Sequence, residues 1–591
     1  MRIHFKDIEY SVQLPNKESL EILKGVRGSF QSGRLVAILG QSGSGKTTLL
    51  DILSQRKTEG LWSGTIELNG SVISSKDRWR KICGYVQQHD KLLSTATIFE
   101  ALMFSILLRT SFQRTYESQV ERVKEIVKEI GLSHRMDARI GDESNRSLSG
   151  GEMRRVSIAQ ELVAEVKVLL LDEPTSGLDS ASAIAIVALL KKIAISRDAI
   201  VVATVHQPSS SMANIFDDVM IMAHGKVCFN DEWSKVIQFL DHAGHPVPGF
   251  TNPADHIIEL TAREETTRDL IDLTIRNSDV LLYQSSKADD KLAFKSIASP
   301  FWFQFKLVWI RQFRHWFRSP ILFISELTQY IFAGLFIGMM YHGLPSTLEA
   351  GIFDRSSAIF FILTTLCFVP SFTVVTIAAE EFPLLKREIN SGMYSITSSY
   401  MAKLATTWPF EMFLSLVFVL CSYWIVGFEP GSFFVFYLIV LLFQLISETI
   451  GLLCAQTTPN ATVGVLLLSL VLLVCLAIGG FLVSQPKIWY SWFESINFFS
   501  YAYTAIIHNQ FESLELFDPS TNSTVNGLDY IISVGRVSNS LSMWGNIGVL
   551  FAMLVILRIL AYFIFVFQLQ RSSFRRKSAS VARESSSLGI K

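Results

Sequence analysis

The stretch Gly40-Gln41-Ser42-Gly43-Ser44-Gly45-Lys46-Thr47 fits G-x-x-x-x-G-K-[ST] at every fixed position. Glycines let successive backbone N–H groups converge on one centre, and a helix expected over 48–55 adds its positive N-terminal end; both favour phosphate. Lys46 is expected to reach the β- and γ-phosphates and the Thr47 hydroxyl to ligate Mg²⁺, with Thr48 beside it in the same turn. Such a loop needs a buried parallel strand before it, and Leu35-Val36-Ala37-Ile38-Leu39 reads as one. A second apolar strand, Val168-Leu169-Leu170-Leu171, ends in Asp172-Glu173. Asp172 alone would bind Mg²⁺ without supplying a base. The adjacent Glu173 can polarise a water, so the pair points to hydrolysis as well as binding. An acidic strand end without chemistry is the competing reading.

A further glycine pair lies in Leu148-Ser149-Gly150-Gly151-Glu152, between the loop and the carboxylates. With these three elements in this order, the chain resembles the ATP-binding-cassette (ABC) ATPases. The resemblance implies that Ser149, Gly150, Gly151 and Glu152 form a signature that reads the ATP of a partner cassette. His206, in Thr204-Val205-His206-Gln207-Pro208, takes the place of the family's γ-phosphate-sensing histidine. Gln88, in Gly84-Tyr85-Val86-Gln87-Gln88, resembles the glutamine that links Mg²⁺ to the membrane domain; Gln87 beside it leaves one residue of register open. Ser176-Gly177-Leu178-Asp179 resembles the loop that crosses the dimer interface, and Tyr10 is a candidate to stack on adenine. Val120, Val123, Ile126, Val127 and Ile130 recur at helical spacing over 114–131, as the helical subdomain of such a cassette requires.

Many ABC signatures end in glutamine. Here Glu152 is followed by Met153-Arg154-Arg155, which resembles the G subfamily, the white-type and breast-cancer-resistance-type half-transporters. Asn252-Pro253-Ala254-Asp255 and the order, ATPase first and membrane domain after, support the same assignment. The resemblance covers nearly the whole chain, most strongly 30–260 and 351–512.

The elements that must position this chemistry sit in two contrasting halves. Of the 591 residues 49% are hydrophobic, and the excess is concentrated in 320–570. The 53 basic and 53 acidic residues cancel, so no basic footprint for nucleic acid exists. The six cysteines (Cys83, Cys228, Cys367, Cys421, Cys454 and Cys475) form no metal-spaced set and none lies in 484–543, so a disulfide framework is not expected. The start, Met1-Arg2-Ile3-His4-Phe5, alternates like a strand and lacks a signal peptide's apolar core, so the first domain is expected to stay in the cytosol.

Apolar runs near 321–341, 356–379, 404–426, 432–454, 461–483 and 544–568 are each long enough to cross ~30 Å of hydrocarbon. Arg311, Arg314 and Arg318 precede the first; Lys386, Arg387 and Lys403 lie between the second and third; Arg571, Arg575, Arg576 and Lys577 follow the sixth. The segment 484–543 holds Lys487 and Arg536 against Glu494, Glu512, Glu515, Asp518 and Asp529. Basic loops stay inside, so both termini are expected in the cytosol and 484–543 outside. Asn522-Ser523-Thr524 is then a usable glycosylation sequon, whereas Asn145-Arg146-Ser147 and Asn460-Ala461-Thr462 fall on the cytosolic side. Trp302, Trp309 and Trp316, seven residues apart, suit an interfacial amphipathic helix coupling the two halves; aromatic-belt anchoring explains them equally well. Trp489, Tyr490, Trp492, Phe493, Phe498, Phe499 and Tyr501 are expected in short interfacial or re-entrant elements on the outer side.

Charge inside a span is costly. Glu326, Glu411 and Arg558, near cytosolic ends, are expected to snorkel, and Gln444 and Glu448 to face other helices. No span carries an acid or histidine chain resembling a proton relay, which disfavours an ion-coupled carrier. The segment Phe360–Phe368 resembles the second span of multidrug-type members, in which a phenylalanine from each subunit clamps flat substrates. By register Phe368 takes that position, with Thr365 one turn earlier, and Phe481 and Leu482 match the apolar plug above it; packing against lipid is the alternative for Phe368.

The expected fold is an α/β P-loop ABC ATPase domain with a helical subdomain over 1–260, followed by an all-α six-helix transmembrane domain over 320–570. A linker or cassette edge (261–300) and a connecting helix (301–319) join them, and a disordered cytosolic tail (571–591) follows. The implied function is ATP-driven export of lipophilic cargo (sterol, lipid, pigment precursor or drug) by an obligate homo- or heterodimer in the plasma membrane or an intracellular membrane, with ATP and Mg²⁺ as cofactors. An ATP-gated channel or regulator would share this architecture.

Overall fold

Short apolar runs between polar turns build the first half of the chain around one buried sheet. The strands are β1 (Arg2–Gln13), β2 (Ser19–Gln31), β3 (Leu35–Leu39), β4 (Leu61–Leu68), β5 (Ser71–Val72), β6 (Cys83–Val86), β7 (Val168–Leu171), β8 (Ile200–Thr204), β9 (Asp218–Ala223) and β10 (Lys226–Glu232). The structure, a computed structural model, describes residues 1–13, 18–56, 60–73, 76–88, 92–110, 115–141, 147–249, 251–278, 299–482, 491–519, 522–533 and 541–587. It divides into two units: Met1–Gln304 with Lys386–Ser395 and Gln570–Lys591, and Phe305–Leu385 with Ile396–Leu569.

In the first unit six strands run in the order β10-β9-β3-β8-β7-β6, with β9, β3, β8, β7 and β6 parallel and β10 antiparallel at the edge. Residues of β3 are buried throughout, as a parallel strand covered on both faces should be. Leu35, Ala37 and Leu39 enter one core with the helices, while Val36 and Ile38 enter another shared with the antiparallel sheet β2-β1-β4-β5. The helices are α1 (Lys46–Leu53), α2 (Lys76–Ile82), α3 (Ile98–Arg109), α4 (Tyr116–Glu129), α5 (Gly150–Leu162), α6 (Ser180–Ser196), α7 (Ser210–Ala213), α8 (Val236–His242), α9 (Pro253–Leu260) and α10 (Glu264–Ser278). Helix α1 begins two residues before the expected 48, and α4 buries Val123, Ile126 and Val127 as their spacing predicts. The linker expected over 261–300 is helical in α10. Residues 279–298 lie outside the described residues.

The second unit holds α11 (Phe301–Arg318), α12 (Pro320–Met340), α13 (Leu348–Asn390), α14 (Ile396–Val426), α15 (Phe433–Thr457), α16 (Ala461–Ala477), α17 (Ser491–Glu494), α18 (Phe498–Phe511), α19 (Gly527–Ser533) and α20 (Met543–Ser587), with a hairpin of β11 (Glu515–Asp518) and β12 (Ser523–Asn526) before α19. The start of α11 to Gln304, the end of α13 from Lys386 and the end of α20 from Gln570 belong to the first unit. Among the described residues, five helices are long and apolar enough to cross a membrane: α12, α13, α14, α15 with the turn before it, and α20 to Leu569. The fifth expected span is shorter than 461–483: α16 stops at Ala477 after 17 residues. Gly479 and Gly480 explain the stop. Gly480 takes φ 94°, and a Cβ on Gly479 would lie 2.4 Å from the Phe499 ring, so the chain turns where no other residue fits. The tail expected to be disordered continues α20 to Ser587.

Helix α11 lies along α14. Trp309 Nε1 donates to the Ala405 carbonyl at 3.3 Å, and Trp316 stacks on Phe410 with centroids 4.3 Å apart. Trp302 is 74% exposed, so the three tryptophans do not share one environment. Phe498 and Phe499, expected at an interface, are buried against Phe443, because α18 packs on α15. Trp489 and Tyr490 lie outside the described residues.

Candidate functional site

Strands β3, β6, β7 and β8 deliver their carboxyl ends to one place, the edge of a parallel sheet where ligands bind. The loop after β3 needs its glycines. Gly40 has φ 151°, and a Cβ there would lie 2.2 Å from the Met222 carbonyl oxygen. Lys46, at the start of α1, is buried and donates from Nζ to the carbonyls of Gly40 (2.7 Å) and Gln41 (2.8 Å). Burial pulls its pKa below the ordinary lysine value, against the opposing pull of Glu173 and Asp172. The Ser44 hydroxyl is buried without a partner in this cradle, the kind of orphan a bound phosphate satisfies.

Asp172 follows β7 and is 4% exposed. Its Oδ1 accepts from the hydroxyls of Thr47 (3.0 Å) and Thr204 (2.8 Å). Burial raises its pKa, the two hydroxyls lower it, and Asp51 and Glu173 raise it further; the net direction is up. Glu173 sits at φ 44°, a left-handed conformation uncommon outside glycine. Its N–H donates to Thr204 Oγ1 at 2.7 Å, and its Oε2 accepts from Gln88 Nε2 at 2.7 Å. Gln87 is exposed, so of the two glutamines Gln88 is the one at the carboxylate. His206 Nε2 lies 2.7 Å from the Ser42 hydroxyl, which joins the end of β8 to the glycine loop. Thr47, Asp172 and Gln88 thus offer oxygen donors of the kind a hard cation takes.

The signature residues lie on a different element, at the head of α5. Ser149 is the N-cap: its hydroxyl oxygen accepts from the Glu152 N–H at 3.2 Å, and Glu152 Oε2 accepts from the Ser149 N–H at 2.8 Å. A capping box accepts Glu or Gln at this place, which accounts for Glu152 where many signatures carry glutamine. Burial disfavours the Glu152 charge, but the Ser149 N–H and hydroxyl, with Arg135 and Arg155, outweigh it and hold the carboxyl below its usual range. Asp179 caps α6 by accepting from the Ser182 N–H at 3.1 Å, and bonds to Ser182 lower its pKa.

Tyr10 departs from expectation. It is 2% exposed and its ring is covered by Gly60, whose added Cβ would lie 2.6 Å from it, so no open face remains for a base. Two other residues carry more of the site than their sequence context suggested. Thr204, the polar end of an apolar strand, bridges Asp172 and Glu173. Arg154 donates to the carbonyls of both Gln87 and Gln88.

In the second unit Thr365, Phe368 and Phe372 form a half-buried stripe on α13, while Leu363 and Leu366 on the other side of the helix are buried. Phe368 stacks on Phe372 at 5.9 Å, and the Thr365 hydroxyl donates to the Phe361 carbonyl. Phe481 stacks on Phe360 at 4.5 Å, while Leu482 is 56% exposed. Arg558 does not snorkel: it is buried, pairs with Glu448, and lies over the Trp408 ring at 5.7 Å. Glu411 accepts from the amide of buried Gln444, which also donates to Tyr330 Oη at 3.2 Å. Polar groups in adjacent spans satisfy one another because hydrocarbon offers no partner. Asn522 stands exposed at φ 54° at the turn of the β11–β12 hairpin.

Residues 23–176 match the family described as ABC transporter, and residues 303–511 the family described as ABC-2 type transporter. The chain is 32% identical over 564 residues to ABC transporter G family member 22 of Dictyostelium discoideum, with 90% of each chain covered. It is 30% identical over 541 residues to Protein white of Drosophila melanogaster, covering 87% of this chain and 78% of that one. To the Broad substrate specificity ATP-binding cassette transporter ABCG2 of Bos taurus it is 29% identical over 592 residues, covering 92% and 89%.

Proposed function

The chain belongs to the G family of ABC transporters, ATP-hydrolysing membrane transporters, and on that premise we propose that it is one half of a dimer that exports lipophilic cargo by alternating access. The carrying observation is that the loop with its carboxylates and the signature lie on different elements of one chain, the loop between β3 and α1, the carboxylates after β7, and the signature at the head of α5. One chain holds one loop and one signature, so a complete ATP sandwich needs a two-fold partner.

In this reading Lys46 and the N–H groups of 40–48 bind the phosphates, and Ser149, Gly150 and Gly151 of the facing chain close over the γ-phosphate. Thr47, Asp172 and Gln88 would hold Mg²⁺, which would supply positive charge to offset that of the phosphates. Glu173 takes the proton of the attacking water, with Gln88 fixing its carboxylate. His206, held by Ser42, contacts the γ-phosphate. Asp179 lies in the loop that faces the second cassette. Closing the cassettes turns the paired membrane domains from inward- to outward-facing, and hydrolysis resets them. Both termini lie in the cytosol. Phe368 and Thr365 line the cargo path, with Phe481 and Leu482 as the plug beyond them.

An ATP-gated channel is the second reading. A carboxylate held in a strained backbone and aimed by a glutamine favours turnover, because a gate has less need of a placed base. Inside-out vesicles bearing the protein, given ATP and a fluorescent lipophilic probe, should accumulate the probe above its external concentration. Equilibration without accumulation would move the assignment to a channel.

A further inference from the structure

Arg154 lies one turn inside α5 and is 4% exposed. Its Nη1 donates to the Gln87 carbonyl at 2.7 Å and its Nη2 to the Gln88 carbonyl at 2.6 Å. Strand β6 ends at Val86, whose carbonyl accepts from the Asp172 N–H at 2.9 Å. The next two carbonyls have left the sheet, and away from water such groups need a donor. A guanidinium supplies two donors in one rigid plane, which fixes the orientation of the peptide between Gln87 and Gln88 as a lysine ammonium cannot. From that fixed backbone the Gln88 side chain reaches the Glu173 carboxylate at 2.7 Å.

The other end of the same helix turn is the signature. Arg135 donates to the Ser147 carbonyl at 3.0 Å and pairs with Glu152 at 3.7 Å, and Arg155 donates to the carbonyls of Gly151 (3.3 Å) and Ile130 (3.4 Å). These two arginines brace the head of α5 against its neighbours. Arg154, from the same turn, runs instead to the end of the catalytic strand β6. A single hydrogen-bonded turn is stiff, so displacement at Ser149 is carried to Arg154 with little loss.

We propose that Arg154 is a positioning residue that couples the signature of each chain to Gln88 and Glu173 of the same chain, so that ATP gripped in one site sets the base in the other. The inference rests on the shared sites and on the role of Glu173 proposed above. ATP held against Ser149 and Gly150 by the facing cassette fixes the head of α5. Arg154 transmits that fixation to the 87–88 peptide, and Gln88 then orients its own chain's carboxylate. Hydrolysis in either site thereby depends on occupancy of the other.

The test uses the full-length dimer in lipid nanodiscs, with Arg154→Lys and Arg154→Met beside wild type and Glu173→Gln. Both Arg154 variants should lower kcat by about 10- to 100-fold, the scale of a slightly misplaced catalytic group, with the ATP KM within about twofold of wild type. The Hill coefficient for ATP should fall towards unity, and the unfolding midpoint should not move. Arg154→Lys, which keeps charge and stem, serves if Arg154→Met does not fold, and it should retain the larger share of activity. Wild-type kcat and cooperativity in Arg154→Lys and in any folded Arg154→Met, beside an inactive Glu173→Gln, overturn the coupling while leaving the site assignment standing. A joint rise of KM and loss of unfolding midpoint marks a merely structural arginine and also overturns it. Full activity in Glu173→Gln removes the site assignment and this inference with it.

Discussion

Gln88 and Glu173 meet just beyond the carboxyl ends of the paired strands β6 and β7, the amide Nε2 donating to the carboxylate Oε2 at 2.7 Å. Because glutamine retains an acceptor oxygen, Glu173→Gln can keep this contact and lose only basicity. The variant should bind ATP normally and hydrolyse it roughly 10²-fold more slowly, the scale of lost general-base help. Lys46→Ala should instead weaken nucleotide binding itself if the ammonium, held here at the loop carbonyls, binds the phosphates as proposed. Fluorescent-nucleotide binding and steady-state ATPase on the same preparations separate the two effects. Near-normal turnover by Glu173→Gln would remove the base assignment.

The shared-site reading predicts complementation. A Cβ on Gly150 would lie 3.2 Å from Leu178 Cδ2, so Gly150→Asp crowds the loop before Asp179 and sets a negative charge where a phosphate should sit. Dimers mixed from a Lys46→Ala chain and a Gly150→Asp chain should rebuild one intact sandwich, while either mutant alone has none. Nucleotide trapping is the readout, because transport can require both sites. Verified mixed dimers that trap nothing would argue against shared sites.

The elements of the candidate nucleotide site are legible in the sequence because their signals are local. A glycine loop between a buried strand and a helix, and two carboxylates ending an apolar run, each announce themselves within a dozen residues. Contacts between distant residues gave no such signal. Arg154 is 67 positions from the Gln87 carbonyl it holds, and Arg558 is 110 from Glu448. Arg558 and Glu411 looked like snorkelling residues because a span read singly does not reveal which neighbour it faces. The burial of Tyr10 is hidden for the same reason: the sequence shows an aromatic residue in a strand, and its covered face depends on Gly60, fifty positions away. Helix α16 ends before the apolar run does, because hydropathy continues through Phe481-Leu482 whereas the backbone turns at Gly480.

The Arg558–Glu448 pair should act as a unit. Both side chains are buried, 8% and 5% exposed. Arg558→Met leaves Glu448 without its counter-charge and should cost on the order of 3–5 kcal/mol. Adding Glu448→Gln to that variant should recover much of the loss, since two neutral groups need no counter-charge. Thermal unfolding in nanodiscs measures both variants. Additive losses would show that the two residues act independently.

The hairpin turn bearing Asn522 predicts a modification. Asn522, Ser523 and Thr524 are all exposed, the access an N-glycan needs. Expression in a eukaryotic secretory membrane should give a band that N-glycosidase treatment shifts down, and Asn522→Gln should abolish the shift. A shift that persists in Asn522→Gln would place the glycan elsewhere and reopen the orientation of the spans.

The cargo reading turns on Phe368. Thr365, Phe368 and Phe372 share one half-buried face of α13, while residues of the opposite face are packed inside the unit. Such a face meets either lipid or a second copy across a two-fold axis, and the two cases differ in what Phe368→Ala does. If the ring clamps a flat molecule, its loss removes on the order of 1 kcal/mol of aromatic contact beyond area burial. The apparent substrate constant should then rise several-fold and substrate-stimulated ATPase should vanish, with basal ATPase largely intact because the nucleotide site is untouched. Phe481 is stacked on Phe360 at 4.5 Å, so Phe481→Ala should loosen the plug and raise basal turnover instead. A lipid-facing Phe368 predicts neither change. Transport by Phe368→Ala with wild-type kinetics would therefore assign that face to lipid and put the clamp elsewhere in the membrane unit.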